Sequence, residues 1–454
     1  MGRIVFAAPE LRRFHLHDRL RRRLQEAGFD VHALHIDPVA HALWQTHRQV
    51  SELARPAAAD PGHAPIAEFA ALELRRLGLP DRARAHIERR LARLAPAIAA
   101  ALDRLAPDLV FLVGPRTAER RLCHFLARER GVRVLWSAQG LLPHTMQVDP
   151  AGIDGEAAST RWPASAHRRH RADANLLAGG LAHLLARDHP IGVARCIVHA
   201  PPWSLRLGAA AGAALRGEPR GVAHAFAGWR AALRGHRPQL LPIELPTSPF
   251  VAVLLQADDD ERVRLDAEAP PTQPELIGAT VGAARALDPA LHVVVVAPPR
   301  GLDAEVATAC AVLPRLTVVP AHVAGDAAAT ALATTTINHP LGLAALLAGG
   351  PLLHTGRALY GLSPVTCRAP IEAFGKELRI ALAEDDVQHL RERFLTWLLD
   401  AGHVWCSEAE PSFNGLLGLS QTLELHTSCR WPKGLGLRYR RGPAWPLTYG
   451  ATDA

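Results

Sequence analysis

The sequence predicts an α/β protein made of two Rossmann-like domains facing a cleft. Short apolar runs alternate with segments of helical period in both halves of the chain. A proline-punctuated stretch, "RPQLLPIELPTSP", parts the two halves. The 454 residues are enough for about two to four domains.

The elements follow in order. "RIVFAAP" reads as a short buried strand, the segment ending at Gly28 as a helix with a glycine stop, and "FDVHALHID" as a second strand. That β-α-β opening predicts a parallel sheet with a right-handed crossover. Residues 66–104 have helical period, "PDLVFLVG" is a strand, "RRLCHFLARERG" a helix and "VRVLW" a strand. Beyond it "WSAQGLLPHTMQVDPAGIDGEAAST" mixes polar, apolar and glycine residues in a long irregular loop. It leaves the carboxyl end of a parallel strand, where open α/β sheets place their ligands.

From Ala157 to about Pro246 helical patches such as "NLLAGGLAHLLARD" and "HAFAGWRAAL" carry no assignable chemistry. The second half repeats the rhythm with strands at 250–256, "HVVVVAPP", "LTVVPA", "ATTTIN" and "PLLHTG". Helices are expected at 274–287, around 303–312, in "HPLGLAALLAGG" and in "LRERFLTWLLDAG". The expected division is a first Rossmann-like domain with a helical insert over 1–245, a second over 246–400, and an extension over 401–454 able to cross back. Two such domains joined by a linker suggest a GT-B-like glycosyltransferase architecture, in which ligands are expected between the domains.

Composition excludes several classes. No apolar run approaches the roughly 18 residues of a membrane span, and "MGRIVFAAPELRR" is too short in apolar residues for a signal peptide. A cytoplasmic address is expected. Cys123, Cys196, Cys310, Cys367, Cys406 and Cys429 form no CxxC pair, so buried free thiols are expected, with no metal site. The net charge of +7 comes from arginine, with lysine only at Lys376 and Lys433. Its clusters "RLRRRLQ" and "HRRHR" lack interleaved aromatics, which argues against nucleic acid as a partner and reads the first as a solvated helix face. A basic surface still suits anionic lipid head groups.

No GxGxxG follows the first strand, and neither GxxxxGK[ST] nor GxSxG occurs. Dinucleotide, P-loop and nucleophile-elbow chemistry are thereby disfavoured. Asn338 ends a strand and Gly342 opens a helix, a junction able to present backbone N–H groups to an anion. In "QADDD", Gln256 and Asp258 to Asp260 could bind substrate, hold a cation or cap the following segment.

Three segments, in the same order, resemble the capsule polysaccharide biosynthesis family of β-Kdo transferases. Gly140, Leu141, Leu142, Pro143, Asp149, Gly152 and Ser159 match its "ENGLLP…VDxxGVN…S" pattern. Gln256 and Asp260 match a "PLQvxxDxQ" strand end; Asn338, Gly342, Leu343, Ala345, Leu346, Gly356 and Tyr360 match "NSTVGLEALLxGKPVxxxGxAxY". The chain's opening is similar to the family's "QGPxxxFFxxLAxxLxxxGHxVxxI". The resemblance implies two Rossmann-like domains, the first on the acceptor side and the second on the nucleotide-sugar side. It implies CMP-Kdo or a similar CMP-sugar as donor, with no separate cofactor, and transfer with retention to a lipid or glycan acceptor. The inner-membrane surface and capsule assembly proteins are the partners it suggests.

The sequence departs from the family at the site. Ala138 and Gln139 stand where the family has an acidic residue followed by Asn or Asp, "VAPP" replaces Lys-Glu-His-Pro, and His339, Pro340 and Ala344 replace Ser, Thr and a helix Glu. Transfer needs a carboxylate or other group at the reacting centre and charge to balance the leaving phosphate. The candidates are Asp149, Asp154 and Asp260 as carboxylate, Arg300 and His339 toward phosphate, and Asn338 and Gln139 toward the sugar. Gly140, Gln256, Gly342 and Tyr360 complete the expected binding set. The alternative expectation is a catalytically impaired relative that binds nucleotide-sugar or serves as an assembly partner.

Overall fold

The computed structural model describes residues 2–10, 13–37, 40–41, 44–45, 51–54, 63–114, 116–185, 244–299, 301–383, 386–407 and 411–428. Arg300, Cys196, Cys429, the "HAFAGWRAAL" patch and most of the proline-rich linker lie outside the described residues. Within them the fold is α/β, with two six-stranded sheets, each the centre of a Rossmann-like domain.

The first domain runs β1 (Arg3–Ala7), α1 (Phe14–Glu26), β2 (Asp30–His35), β3 (Ser51–Leu53), α2 (Ile66–Leu77), α3 (Arg84–Leu105), β4 (Leu109–Val113), α4 (Ala118–Glu129), β5 (Arg133–Gln139) and β6 (Met146–Asp149). Its sheet has the order β3-β2-β1-β4-β5-β6, and β6 alone is antiparallel. After α5 (Ala174–Leu185), the second domain contains β7 (Phe250–Leu254), α6 (Glu261–Asp266), α7 (Gln273–Leu287), β8 (His292–Val296), α8 (Ala304–Ala311), β9 (Leu316–Val319) and α9 (Ala324–Thr330). It continues through β10 (Ala333–Thr336), α10 (Gly342–Leu347), β11 (Leu352–His354), β12 (Cys367–Arg368), α11 (Phe374–Ala383) and α12 (Gln388–Asp400). Its sheet is parallel throughout, in the order β12-β11-β10-β7-β8-β9.

Both sheets follow the doubly wound order, reversing direction beside their first strand. The switch points fall between β1 and β4 in one and between β7 and β10 in the other. Runs such as "FVAVL" and "HVVVV" suit strands covered on both faces. Thr334, Thr335 and Thr336 in the central β10 are also buried. Their hydroxyls meet Ala328, Ala252, Leu254 and Thr280, so burial leaves no hydroxyl orphaned.

The irregular loop expected after "VRVLW" is instead a hairpin: β5 continues to Gln139, and Met146–Asp149 pairs back against it. In "MQVD" Met146 and Val148 enter the core behind the sheet, the period-2 pattern of a strand. A last helix, α13 (Phe413–Ser428), packs Leu416, Leu419 and Leu423 into the core with Ile4, Phe6 and Leu20 of the first domain. Helix α5 joins the core of the second sheet through Leu184, beside Leu346 and Leu398, although the chain reaches it before the linker.

Four described cysteines are free thiols; Cys123, Cys310 and Cys406 are buried and Cys367 is half-buried. On α1, Arg21 and Arg22 both pair with Asp18. Among the described residues no helix is long and apolar enough to cross a membrane.

Candidate functional site between the two sheets

At the second switch point the chain leaving β7 meets the chain leaving β10. Gln256 Oε1 accepts the backbone N–H of Asn338 at 3.0 Å, and Gln256 Nε2 donates to Asp260 at 3.3 Å. Both Gln256 and Asn338 are buried. The Asn338 amide donates to the carbonyls of Arg262 and Arg357, at 2.9 and 3.3 Å. Asp260 caps α6, its Oδ1 accepting the N–H of Arg262 at 2.8 Å, so capping is its observed role.

The first domain answers with the segment after β6. Asp154 lies at φ +53 and donates its N–H to Gln147 Oε1 at 2.9 Å. Its carboxylate takes the Arg262 guanidinium at 2.9 Å. Burial would raise the Asp154 carboxyl, but Arg262 and Arg116 beside it hold it below its ordinary value. Glu156 is lowered in the same way, by Arg121 and Arg116 against burial.

Arg116, just beyond β4, crosses between the domains. Its guanidinium forms a two-pronged pair with Asp266, both bonds at 2.8 Å, and lies 3.4 Å from Glu261 and 3.6 Å from Glu156. Burial opposes the charge, and Asp266 more than offsets it, raising the Arg116 pKa. Gly155 fits into this junction because it has no side chain: a Cβ there would lie 2.7 Å from Arg357 Cβ and from Asp266 Oδ1. Arg75 and Arg264 each donate to backbone carbonyls of the opposite domain.

The remaining expected residues serve nearby or apart. Asp149 is buried, and its carboxylate accepts the N–H groups of Ala151, Gly152 and Ala158. Gly140 is wedged between His403 and Thr145, with a Cβ position 2.3 Å from His403 Cδ2. His403 accepts the Leu141 N–H at 2.9 Å, and burial lowers its pKa to about 4. Gln139 is exposed at the end of β5, away from this knot.

His339, Gly342 and Tyr360 form one turn. The Tyr360 hydroxyl donates to the His339 carbonyl at 2.8 Å and stands 3.0 Å from where a Gly342 Cβ would be. Burial raises the tyrosine and lowers His339 to about 4, so His339 is a neutral imidazole. Its Nδ1 accepts the Leu341 N–H at 3.1 Å. The amides expected to face an anion are used inside this turn: Gly342 and Leu343 donate to the carbonyls of His339 and Pro340.

The structure therefore gathers Asn338, Gln256, Asp260 and Asp154 around Arg262. Arg262, Gln147, Arg116 and Asp266 complete the junction and were not singled out from sequence. Asp149 shapes the bend beside it, the His339 turn stands next to it, and Gln139 is elsewhere. Among the described residues no group of three or more His, Cys, Asp or Glu could hold a metal ion.

No family model matches the chain, and no curated protein matches it. Solved structures similar to it include the glycotransferase of kitacinnamycin, 16% identical, with 94% of this chain and 99% of that one covered and a TM-score of 0.34. The spinosyn rhamnosyltransferase SpnG is 13% identical over 93% of this chain and all of its own, at 0.34. The Thermosulfurimonas dismutans KpsC, a beta Kdo 2,7 transferase, is 14% identical over 72% and 89%, at 0.37. Likeness of this order carries no inference of activity; the fold rests on the chain's own two sheets.

Proposed function

We propose that this protein is a glycosyltransferase of bacterial surface polysaccharide biosynthesis. In this reading it takes a nucleotide-sugar at the second domain's switch point and an acceptor from the first domain's side. The observation that carries the proposal is the joining of Gln256 and Asn338 across β7 and β10, with Asp154 from the segment after β6 of the other domain pairing with Arg262 beside them. A crevice at a switch point is where doubly wound sheets hold nucleotides.

The resemblance of three separated segments to the capsule family supports a CMP-sugar such as CMP-Kdo as donor. It likewise supports a lipid or glycan acceptor at the inner membrane and capsule assembly proteins as partners. Transfer forms a bond from an acceptor oxygen to the anomeric carbon, breaks the bond from that carbon to phosphate, and moves the acceptor proton to a base. The carboxylates proposed to act are Asp149, Asp154 and Asp260.

A specific observation favours the second reading, a nucleotide-sugar-binding relative without turnover. The three carboxylates already accept hydrogen bonds: Asp149 from backbone, Asp260 from backbone and Gln256, and Asp154 from Arg262.

Thermal melting with a panel of nucleotides and nucleotide-sugars, CMP and CMP-Kdo included, tests both readings. A ligand at about 100 times its Kd adds about 2.7 kcal/mol, or about 5 °C at about 2 °C per kcal/mol. The expected result is a rise with cytidine ligands that Asn338→Ala abolishes, because that amide ties the backbone at Arg262 and Arg357. No rise with any nucleotide overturns the proposal. A rise without transfer in a turnover assay with lipid acceptors selects the second reading.

A further inference from the structure

At the junction between the domains, the buried polar atoms without a hydrogen-bond partner among the described residues include two from side-chain amides. Asn338 and Gln147 are 3% and 2% exposed. Among the described residues, Asn338 Oδ1 and Gln147 Nε2 have no hydrogen-bond partner. The orientation of both amides is fixed by their other atom. Asn338 Nδ2 donates to two carbonyls, which leaves its oxygen as the unpaired atom. Gln147 Oε1 accepts from Asp154 N–H, which leaves its nitrogen. Orphaned buried polar atoms cost about 1–3 kcal/mol each, a cost that a bound hydroxyl would remove.

The two atoms come from opposite domains and bracket one ion pair. Gln147 holds the backbone of Asp154, Asp154 holds the Arg262 guanidinium, and Asn338 holds the Arg262 carbonyl. The pair is charge-compensated, so this place has little attraction for phosphate. Among its side-chain amides it offers a free acceptor, Asn338 Oδ1, and a free donor, Gln147 Nε2, with Arg357 Nε a further donor without a partner among the described residues. A hydroxyl group both donates and accepts, and adjacent hydroxyls fit a split donor and acceptor better than any anion.

We propose that Gln147 and Asn338 form a polyol subsite, taking hydroxyls of the sugar portion of the nucleotide-sugar while the nucleotide lies beside them along the same switch point. The subsite rests on the glycosyltransferase reading and deepens it. Gln147 thereby joins the first domain to donor recognition, so the sugar is read only with both domains in place.

The test is titration of CMP and CMP-Kdo onto the full chain, in wild type, Gln147→Glu and Gln147→Met. Gln147→Glu keeps the oxygen that accepts Asp154 N–H and turns the free donor into an acceptor, so it remains informative should Gln147→Met fold poorly. The expected result is a loss of about tenfold in CMP-Kdo affinity, with CMP affinity within about twofold of wild type. An equal loss for both ligands, or no loss for either, overturns the subsite.

Should wild type bind neither ligand, the glycosyltransferase reading with this donor fails by itself, and free Kdo becomes the probe, followed by saturation-transfer NMR. Kdo binding that Gln147→Glu weakens upholds the polyol subsite. Absence of Kdo binding to wild type, or binding that the variant leaves unchanged, overturns it.

Discussion

Replacing Asp266 by alanine strands the Arg116 guanidinium between the domains. The side chains are 1% and 0% exposed, so water cannot reach the charge without local opening. Breaking a buried pair from one side costs about 3–5 kcal/mol. Glu261 and Glu156 remain 3.4 and 3.6 Å away and share the charge, which points to the lower end, about 3 kcal/mol. At about 2 °C per kcal/mol the melting temperature falls by about 6 °C. The double replacement Arg116→Met with Asp266→Leu removes both charges at similar volume and should return to within about 1 kcal/mol of wild type. It leaves Glu156 its bond to Arg121 at 2.7 Å and Glu261 its contact with Arg76 at 3.7 Å. Calorimetric melting of wild type, Arg116→Met, Asp266→Leu and the double variant gives the coupling directly. A single variant that loses less than about 1 kcal/mol, or two changes that simply add, would refute the assignment of this pair as the fastening between domains.

The remaining predictions concern the hairpin and its brace. Gly140→Ala places a methyl 2.3 Å from His403 Cδ2 and should cost about 1–3 kcal/mol by overpacking; an unchanged melting temperature would show that His403 yields freely. His403 should also make stability depend on pH. Its folded pKa of about 4 lies below the ordinary 6.5, because burial outweighs its bond to the Leu398 carbonyl. The unfolded chain therefore takes a proton that the folded chain refuses, and stability falls as pH drops from about 6.5 toward 4. At pH 5 this amounts to about 2 kcal/mol. His403→Gln should show a correspondingly smaller drop between pH 7 and pH 5, and parallel melting curves against pH would count against the buried neutral imidazole.

Much of the fold was legible because its strands are uniformly apolar. "RIVFA", "FVAVL" and "HVVVV" need cover on both faces, and the helical segments between them supply it. The hairpin was hidden because "MQVD" is too short for its alternation to stand out from the polar residues around it. At the site, Gln256, Asp260 and Asn338 were legible because each ends a strand or opens a helix, where side chains leave the sheet. Arg116 and Asp266 were not, since 150 positions separate them and arginine is common throughout this chain. Gln147 gave no signal either: its significance lies in one nitrogen left over after another bond is made. The same accounting explains Asp149, whose placement in a matching pattern does not distinguish a carboxylate that bends its own backbone from one that meets a substrate.

Helix α13 fills the face of the first sheet against which α1 also packs. During synthesis the ribosome emits β1 and α1 before the second domain, and α13 only after the whole of it has emerged. At about 5–20 residues per second, tens of seconds pass in which Phe6, Leu16 and Leu20 lack their final cover. The second domain, by contrast, has β7 through α12 in hand before translation reaches α13. The second sheet is thus completed first, and the first sheet waits for α13. A chain cut short before α13 would carry an exposed apolar face on its first domain, a natural mark for chaperones and proteases.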